Sequence, residues 1–486
     1  MSTTSAASPS PGAAQKSGNS SQPGLTAIAQ YGLLAGPLLS MLDSSIVNVA
    51  VAPIARQLHA LLTEVGWAIS GYLLALGVGL AATSWLARRF GTLPVYAVSL
   101  LGFTLASAGC AAAPDARLLI AARLVQGLAG APLVPMAMSM LLGGRGGART
   151  VSPLAGMMLF LAPALGPTVG GALIAAWGWR SIFLVNVPLG LAAAAAARRI
   201  PPQRAPGPAP AAPLDLPGLI LLAAGLTGVL LGTSEGGIAG WSSAGALAPL
   251  AAGILLLAVY SARAARRPHP VLDLGLLRQR TAAIALILCA AASVVTFAAV
   301  FVLPVFAQAV QGHSAAATGL ALLPQGIITG LGTVLGQKLL TRINIRTTVI
   351  AGFAVLTAAS LGLLAITVTT PLAVTAAILA GRAAAIGLVI TPLLEAITGT
   401  LEPAQLADAN SLFNICQRIA GALGIGLIAA LFASWTRTLG PVPALHDTGL
   451  MLTALGAMAT GASALLPGRR VRVGPVSSSG GPGSGK

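Results

Sequence analysis

Long apolar runs separated by short polar gaps dominate the chain. A helix needs about 20 apolar residues to cross the hydrocarbon layer of a membrane, which is about 30 Å thick. Measured by that length, the 486-residue sequence contains fourteen candidate spans, and it predicts an all-α polytopic membrane protein. The spans are expected near residues 28–51, 65–84, 93–113, 118–142, 151–175, 182–197, 217–235, 244–262, 281–306, 316–337, 347–368, 371–394, 409–434 and 447–466.

Basic residues fall mainly on one side of this series of spans. If the N-terminus is cytoplasmic, twenty of the 27 Lys and Arg residues lie in the cytoplasmic gaps and the two tails. The opposite gaps hold Arg56, Arg117, Arg180 and Arg437. Because cytoplasmic loops carry an excess of Lys and Arg, the pattern predicts a multi-pass protein of the cytoplasmic membrane with both termini in the cytoplasm.

The composition agrees with a membrane bundle and argues against other classes. Apolar residues make up 56% of the chain and charged residues 8%, and the mean hydropathy is +0.88. The formal net charge of +17 does not indicate nucleic-acid binding, because the basic residues form islands between apolar runs instead of one hydrated face. The three cysteines and four histidines are scattered along the chain and are not spaced as metal ligands are, so we expect neither a metal site nor a cofactor.

Two polar segments divide the spans into groups of six, two and six. The first segment is rich in proline, which favours an extended spacer, and the second is a basic loop. We expect two six-helix halves, an inserted helix pair between them, and a disordered cytoplasmic tail at each terminus. The expected boundaries are 1–24 for the first tail, 25–199 for the N-terminal half, 200–213 for the linker, 214–264 for the inserted pair, 265–280 for the basic loop, 281–466 for the C-terminal half and 467–486 for the second tail.

The two halves show signs of an internal repeat. The fourth span of the first half contains Arg123 followed by Gly127, and the fourth span of the second half contains Arg382 followed by Gly387. Many transporters are built from such repeats, with the substrate site at the repeat interface. The pattern therefore favours a transporter over a membrane enzyme, for which the dispersed acids and histidines supply no catalytic cluster.

Asp43 and Arg123 are expected to lie at a similar depth in the membrane. Asp43 precedes the outer end of its span by about nine residues, and Arg123 follows the outer start of its own by about five, so their depths differ by about 6 Å. A charge within a span costs about 2.5–3.5 kcal/mol unless it faces protein or water. We interpret the two as a proton-coupling pair, since a change in water access or in their separation would bind and release a proton. The alternative is a static ion pair that locks two helices together.

Three segments give the chain a specific resemblance. The first span reads LSMLDSSIVNVAVAPIA (39–55), the fourth reads RLVQGLAGA (123–131), and the fifth continues into its outer loop as LGPTVGGALIAAWGWRSIFLVNVPLG (165–190). Together they resemble the fourteen-span drug/proton antiporters of the major facilitator superfamily. The resemblance covers about residues 25–466 and implies the major facilitator fold, with two pseudo-symmetric six-helix halves.

The resemblance also implies roles for particular residues. In such transporters the residues that correspond to Asp43, Arg123 and Gln126 are associated with proton coupling. Residues of the fifth span match the antiporter motif, which is held to seal or flex the interface between the halves: Pro163, Gly166, Pro167, Gly170 and Gly171. Because Gly166 and Gly170 are four residues apart, they leave a flat face for close helix approach, and ordinary glycine-mediated packing is the alternative.

Three segments depart from the family pattern, and in one of them, the first span, the family's proline is displaced to Pro53. After the second span, the family's usual acidic residue is replaced by Arg88, which is followed by Arg89 and Gly91. We expect these three residues to form a cytoplasmic gate loop that lacks its acidic charge, although we favour Arg88 as a simple positive-inside anchor. Arg418 stands one position later than usual, a rotation of about 100° on a helix, so we expect it to face a different neighbour.

A second group of charges lies in the C-terminal half. Glu395, Arg382 and Arg418 are a possible second protonation or substrate site, because each is an ionisable residue within a span. Glu395 is equally interpreted as a helix-end carboxylate paired with Lys338 or Arg418. Arginines within the spans outnumber the acids by three to two, which leans slightly toward anionic or neutral substrates.

Taken together, these patterns favour a secondary active transporter that exports amphipathic organic compounds by proton antiport and alternating access. Its partners would be a small-molecule substrate, protons and the lipid bilayer, and a monomer is the default oligomeric state. An uptake or metabolite carrier of the same superfamily and a transport-inactive membrane sensor or scaffold remain as alternatives.

Overall fold

Throughout its described part, the chain is built of α-helices joined by short turns, and no β-strand occurs there. The computed structural model describes residues 27–142, 153–200, 213–268, 270–272, 274–399, 401 and 405–468. The predicted tail at 1–24 and nearly all of the predicted linker and second tail lie outside the described residues. The helical class predicted from the apolar runs is confirmed.

The helices before the linker form the N-terminal half. Short breaks divide several of them, most clearly at Pro132, which has no backbone N–H to donate. They are α1 Ala27–Ile46, α2 Val51–Gln57, α3 Leu62–Phe90, α4 Thr92–Ala112, α5 Ala116–Gly130, α6 Leu133–Leu142, α7 Pro153–Trp177, α8 Ser181–Leu184 and α9 Asn186–Ala197.

The helices after the linker comprise the inserted pair and the C-terminal half. Three 3₁₀ turns accompany them, Leu274–Arg278 before α12, Gly362–Ala365 after α15 and Ser463–Leu465 after α18. The helices are α10 Leu216–Ala239, α11 Ala244–Ala264, α12 Arg280–Ala309, α13 Ala315–Ala321, α14 Leu323–Arg342, α15 Ile345–Leu361, α16 Leu372–Thr398, α17 Leu406–Leu439 and α18 Pro441–Ala462.

Twelve helical segments of the described chain are long and apolar enough to cross a membrane. A further candidate is the pair Ala164–Trp177 and Ser181–Ala197, in which the helix direction bends by 119° at the break between the two arms. The fold is thus a multi-pass helical bundle of twelve or thirteen spans by length and composition. The predicted number of fourteen requires each arm of the bent pair to cross separately.

Several helices extend beyond the apolar windows that predicted them. The second span was expected at 65–84, but α3 continues to Phe90, so Arg88 and Arg89 lie on its last turn and not in a gate loop. The turn itself is reduced to Gly91, whose φ of 86° suits glycine. Hydropathy detects only the hydrocarbon layer, whereas a helix continues into the interface when its charged side chains reach water.

The two halves meet along two lines of helix packing. On one line α3 packs against α17, and on the other α7 packs against α13 and α14. We call the end of the bundle at which α3, α11 and α14 finish the basic end, and the other end the opposite end. The contacts of α7 with α13 lie toward the opposite end, where α7 finishes at Trp177 and α13 begins at Ala315.

The inserted pair joins the bundle through one of its two helices. Helix α10 packs against both α3 and α17, and Trp67 Nε1 donates to Ser234 Oγ at 3.2 Å, whereas α11 packs chiefly against α10. Asp215 caps α10 and accepts from Arg263 of α11 at 2.8 Å. Burial raises the pKa of Asp215, but the hydrogen bonds from Arg263 and the Gly218 N–H outweigh it and lower that pKa. Helix α10 therefore bridges the two halves, and α11 lies at the periphery.

Candidate functional site

The centre of the N-terminal half contains an ion pair with no solvent exposure. Arg123 Nη1 of α5 lies 2.5 Å from Asp43 Oδ2 of α1, and both side chains are 0% exposed. A buried pair of this kind persists only when hydrogen bonds satisfy the remaining polar atoms. The contact expected from the similar depths of the two residues is therefore present, and both side chains are fully buried.

Side chains from three other helices complete the surroundings of Asp43. Gln126 Nε2 and Asn186 Nδ2 both donate to Asp43 Oδ1, at 3.0 and 2.8 Å, and Gln126 Nε2 also donates to Ser107 Oγ at 2.6 Å. Arg123 Nη1 in turn donates to Gln126 Oε1 at 2.7 Å. The carboxylate thus receives three donors, which tie α1 to α5 and α9.

Arg123 is held by groups other than the acid. Its Nε donates to the Ala68 carbonyl at 2.8 Å, and its guanidinium stacks 3.9 Å from the centre of the Tyr72 ring. A cation over an aromatic face is favourable, more so when both are desolvated. Arg123 Nη2 and Asn186 Oδ1 are buried without a hydrogen-bond partner among the described residues, so the network has unused bonding capacity.

Sequence reasoning identified Asp43, Arg123 and Gln126 but missed Asn186, Ser107 and Tyr72. Asn186 lies in the quoted segment 165–190, where it begins α9 just after the short helix α8. A buried asparagine in an apolar span was the available signal, because such a side chain needs a partner in lipid. Its partner depends on the rotation of α9 about its own axis, which the order of residues does not reveal.

A cavity of about 350 Å³ lies between the two halves. Helices α1 and α7 supply its N-terminal wall, and α12, α14, α16 and α17 supply the other wall. Ser44 and Ser45 of α1 and Asn48 of the 3₁₀ turn that follows it line the cavity, whereas Asp43 is not among the lining residues and points into the N-terminal half. One face of α1 therefore directs Asp43 into the N-terminal half, and another face of the same helix lines the cavity.

The structure brings two of the three C-terminal candidates together. Arg382 and Arg418 both line the cavity, and Arg382 is 3% exposed. Arg382 Nη1 donates to Ser360 Oγ and its Nη2 to the Val295 carbonyl, each at 2.5 Å. Glu395 lies near the end of α16, half-buried and outside the cavity lining. Among the residues described, it forms no ion pair with Lys338 or Arg418.

The antiporter-motif residues lie on α7 where it is enclosed by both halves. A Cβ on Gly166 would overlap Ser45 Oγ of α1, and one on Gly171 would lie 2.5 Å from the Ala315 carbonyl oxygen of α13. Gly170 likewise approaches the Ile46 carbonyl, and Pro167 contacts Gly319 through its own carbonyl, while Pro163 lies one turn earlier on the helix. Helix α7 thus makes close glycine contacts on two of its faces, one toward α1 and one toward α13.

One of the three predicted gate residues, Arg88, borders a second cavity at the basic end. It measures about 640 Å³ and is lined by the end of α3, the segment before α12 and the start of α17, with Arg88, Arg267, Arg278, Asp215 and Asp408 on its wall. Arg89 is exposed and lies 5.9 Å from the centre of the Phe90 ring. Of the gate residues, Arg88 alone borders this cavity. The part of the chain with described positions holds no group of three metal-ligating side chains.

Comparisons with known proteins give this architecture a family. A sequence profile described as Major Facilitator Superfamily matches residues 33–425. The Multidrug resistance protein B homolog of Mycobacterium tuberculosis is 33% identical over 403 residues, which cover 81% of this chain and 74% of the relative. The Methylenomycin A resistance protein of Streptomyces coelicolor is 30% identical over 405 residues, or 83% of this chain and 85% of the relative.

A solved structure with little sequence similarity has the same fold. The POT family transporter PepTSo matches with a TM-score of 0.62 at 14% identity, over 90% of this chain and 96% of that chain. The helical bundle and the cavity between its halves define a multi-pass membrane protein of the transporter class. Because the profile and the relatives extend over most of the sequence, the chain belongs to the Major Facilitator Superfamily.

Proposed function

We propose that this protein exports amphipathic organic compounds, including drugs, across the cytoplasmic membrane by proton antiport. The resistance proteins named among its relatives support drug export. The observation that carries proton coupling is the complete burial of the Asp43–Arg123 pair beside, but outside, the cavity between the halves. No enzymatic activity is proposed, since the family moves solutes.

Protonation of Asp43 would act on the cavity through α1. Bonds from Arg123, Gln126 and Asn186 to a carboxylate are charge-assisted, and they weaken when a proton neutralises it. Ser44 and Ser45, the next two residues of α1, line the cavity, so loosening α1 from α5 and α9 would change the substrate site. Substrate and proton would then be exchanged on opposite sides of the membrane by rocking of the two halves.

The proposal includes a topology of fourteen spans arranged as six, two and six. Support for two crossings by the bent pair comes from packing, because α7 contacts α1, α13 and α14, whereas α9 contacts α1 and α4. The halves would then be 25–199 and 281–466, with the inserted pair at 214–264. The basic end would face the cytoplasm, together with both termini, because the arginines of the loops concentrate there. A monomer is the proposed unit.

Substitution of Asp43 by Asn tests the coupling. Asparagine keeps the size of the side chain and can still bond its neighbours, so we expect Asp43→Asn to insert at normal levels and to lose gradient-driven export. In bacteria lacking their own efflux pumps, expression of the wild-type protein should raise the inhibitory concentration of at least one compound in a panel of amphipathic drugs. The variant should remove that protection.

Asp447→Asn is the matched control, because Asp447 is half-buried in α18 and lies outside the cavity lining. It should protect as well as the wild type. Direction is checked in inside-out vesicles, where the same compound should accumulate when a proton gradient is applied. Undiminished export by Asp43→Asn at equal membrane levels would refute the coupling role, and uptake in the reverse direction would refute export.

A further inference from the structure

The cavity between the halves carries positive charge and no described acid. Arg382 and Arg418 line it, and no Asp or Glu is among the residues on its wall. The two ion pairs found in the described chain are Asp43–Arg123 and Asp215–Arg263, so neither cavity arginine has a carboxylate partner there. A guanidinium taken out of water without an opposite charge is costly, and such groups in membranes commonly mark substrate pathways.

Comparison of the two halves shows which arginine of the C-terminal half lacks a carboxylate partner. Arg123 on the fourth helix of the N-terminal half is paired with Asp43 on the first helix of that half. Arg382 on the fourth helix of the C-terminal half instead bonds Ser360 Oγ and the Val295 carbonyl, the latter on the first helix of its half. Ser360 already donates its own proton to the Leu356 carbonyl. Neutral oxygens therefore orient Arg382, and its charge is left for another group.

We propose that the transported compound is an amphipathic organic anion whose carboxylate, sulfonate or phosphate lies between Arg382 and Arg418. This inference rests on the proposed function, in that it takes the cavity as the transport site. A planar guanidinium binds such groups through two parallel N–H donors, which a cationic compound could not accept. The anion would supply the partner that Asp43 supplies to Arg123.

The rest of the cavity wall suits the apolar part of such a compound. Phe297, Val300, Ile386 and Ile390 line it beside the two arginines. At about 350 Å³ the cavity lies at the lower end of the range of about 300–1,000 Å³ that accommodates small organic ligands. A single aromatic body with one acidic group matches both the volume and the charge.

Binding of three naphthalene derivatives tests the assignment. They are 1-naphthoate, 1-naphthylmethylamine and 1-naphthylmethanol, which share a ring system and carry negative, positive and no charge at neutral pH. Each is titrated calorimetrically into the full-length protein in lipid nanodiscs, with empty nanodiscs as the blank. We expect 1-naphthoate to bind most tightly. Arg382→Gln and Arg418→Gln should each weaken it by about tenfold or more, as for loss of a hydrogen bond between charged groups, and should leave 1-naphthylmethanol unchanged.

A matched control and an alternative variant make the outcome decisive. Arg56→Gln removes the same charge from an exposed position and should bind 1-naphthoate like the wild type. Arg418→Gln serves if Arg382→Gln fails to fold, because Arg382 holds α12 and α15 through its hydrogen bonds. Equal or tighter binding of the amine, absence of binding by all three compounds, or normal 1-naphthoate binding by Arg418→Gln would overturn the proposal.

The titration uses no proton gradient, so it separates this inference from the proposed antiport. Tight 1-naphthoate binding together with undiminished export by Asp43→Asn would leave the anion site standing and refute the coupling. Loss of export in Asp43→Asn with a preference for the amine would do the opposite.

Discussion

At the scale of single residues, the Asp43 carboxylate has more hydrogen-bond donors than an ion pair requires. Arg123 alone would neutralise the charge, yet Gln126 and Asn186 both donate to the other carboxylate oxygen. The three donors come from two helices, so the orientation of α1 depends on the ionised acid. Asn186 is thus a positioning residue, since it acts on the proposed proton site through Asp43.

Substitution of Asn186 by Ala should therefore destabilise the protein and impair export. Loss of a donor to a buried charged group costs about 1–3 kcal/mol, so we expect a lower midpoint of thermal unfolding in detergent. Asn410→Ala is the control, because Asn410 is exposed at the start of α17. Equal unfolding midpoints for Asn186→Ala and the wild type would show that this bond contributes little.

The sequence predicted a contact between two residues correctly where their depth in the membrane was the only information needed. The positions of Asp43 and Arg123 in their spans indicate similar depths, and the structure has them in contact. The grouping of Glu395 with Arg382 and Arg418 rested only on their being ionisable residues within spans, and Glu395 lies outside the cavity lining. The difference arises because depth follows from counting residues, whereas the direction of a side chain depends on helix rotation and tilt.

At the scale of elements, α7 belongs to the N-terminal half but packs against helices of both halves. Gly166 and Gly170 face α1, while Gly171 faces α13, so α7 is held on one side by its own half and on the other by the C-terminal half. In the proposed transport cycle, opening of the cavity at the opposite end would separate the contact between Gly171 and α13. The absence of side chains there lets backbones approach closely without interlocking.

A larger side chain at Gly171 should interfere with that closure. Even a Cβ would lie 2.5 Å from the Ala315 carbonyl oxygen, so we expect Gly171→Val to insert but to lose export. Gly461→Val is the matched control, because no atom lies within 4 Å of a Cβ at Gly461 of α18. Drug susceptibility at equal membrane levels measures both variants. Wild-type protection by Gly171→Val would mean that α13 moves aside without cost.

At the scale of the whole molecule, the number of crossings depends on the bent pair of α7 with α8 and α9. If both arms cross, the chain after α9 returns to the basic end, and every later helix keeps the orientation predicted from the arginines. If the pair counts as one crossing, the end of α9 lies on the other side. The two topologies therefore differ in where residues near Arg199 are exposed.

Single cysteines labelled with a membrane-impermeant maleimide on intact cells should distinguish them. We expect labelling of Trp177→Cys and Ser242→Cys from outside, and labelling of Arg199→Cys and Thr341→Cys only after permeabilisation. All four positions are exposed, while two of the native cysteines, Cys110 and Cys289, are buried and Cys416 is half-buried. The unsubstituted protein is the background control. Labelling of Arg199→Cys on intact cells would contradict fourteen spans.

The sequence by itself determined that this is a multi-pass helical membrane protein, because a lipid solvent leaves long apolar helices as the main way to satisfy the backbone. It also indicated which charged residues need a protein partner or water, namely those that lie within a span. The resemblance to major facilitator antiporters followed from short motifs whose residues are adjacent along the chain.

Only the tertiary structure decided which side chains meet. Asn186 reaches Asp43 from a helix more than a hundred residues away, and Arg382 and Arg418 line one cavity although they belong to different helices. Such contacts depend on how each helix is rotated and tilted against its neighbours, which is set by packing of all the side chains together. The continuation of α3 to Phe90 was likewise decided by capping at Gly91 and not by hydropathy.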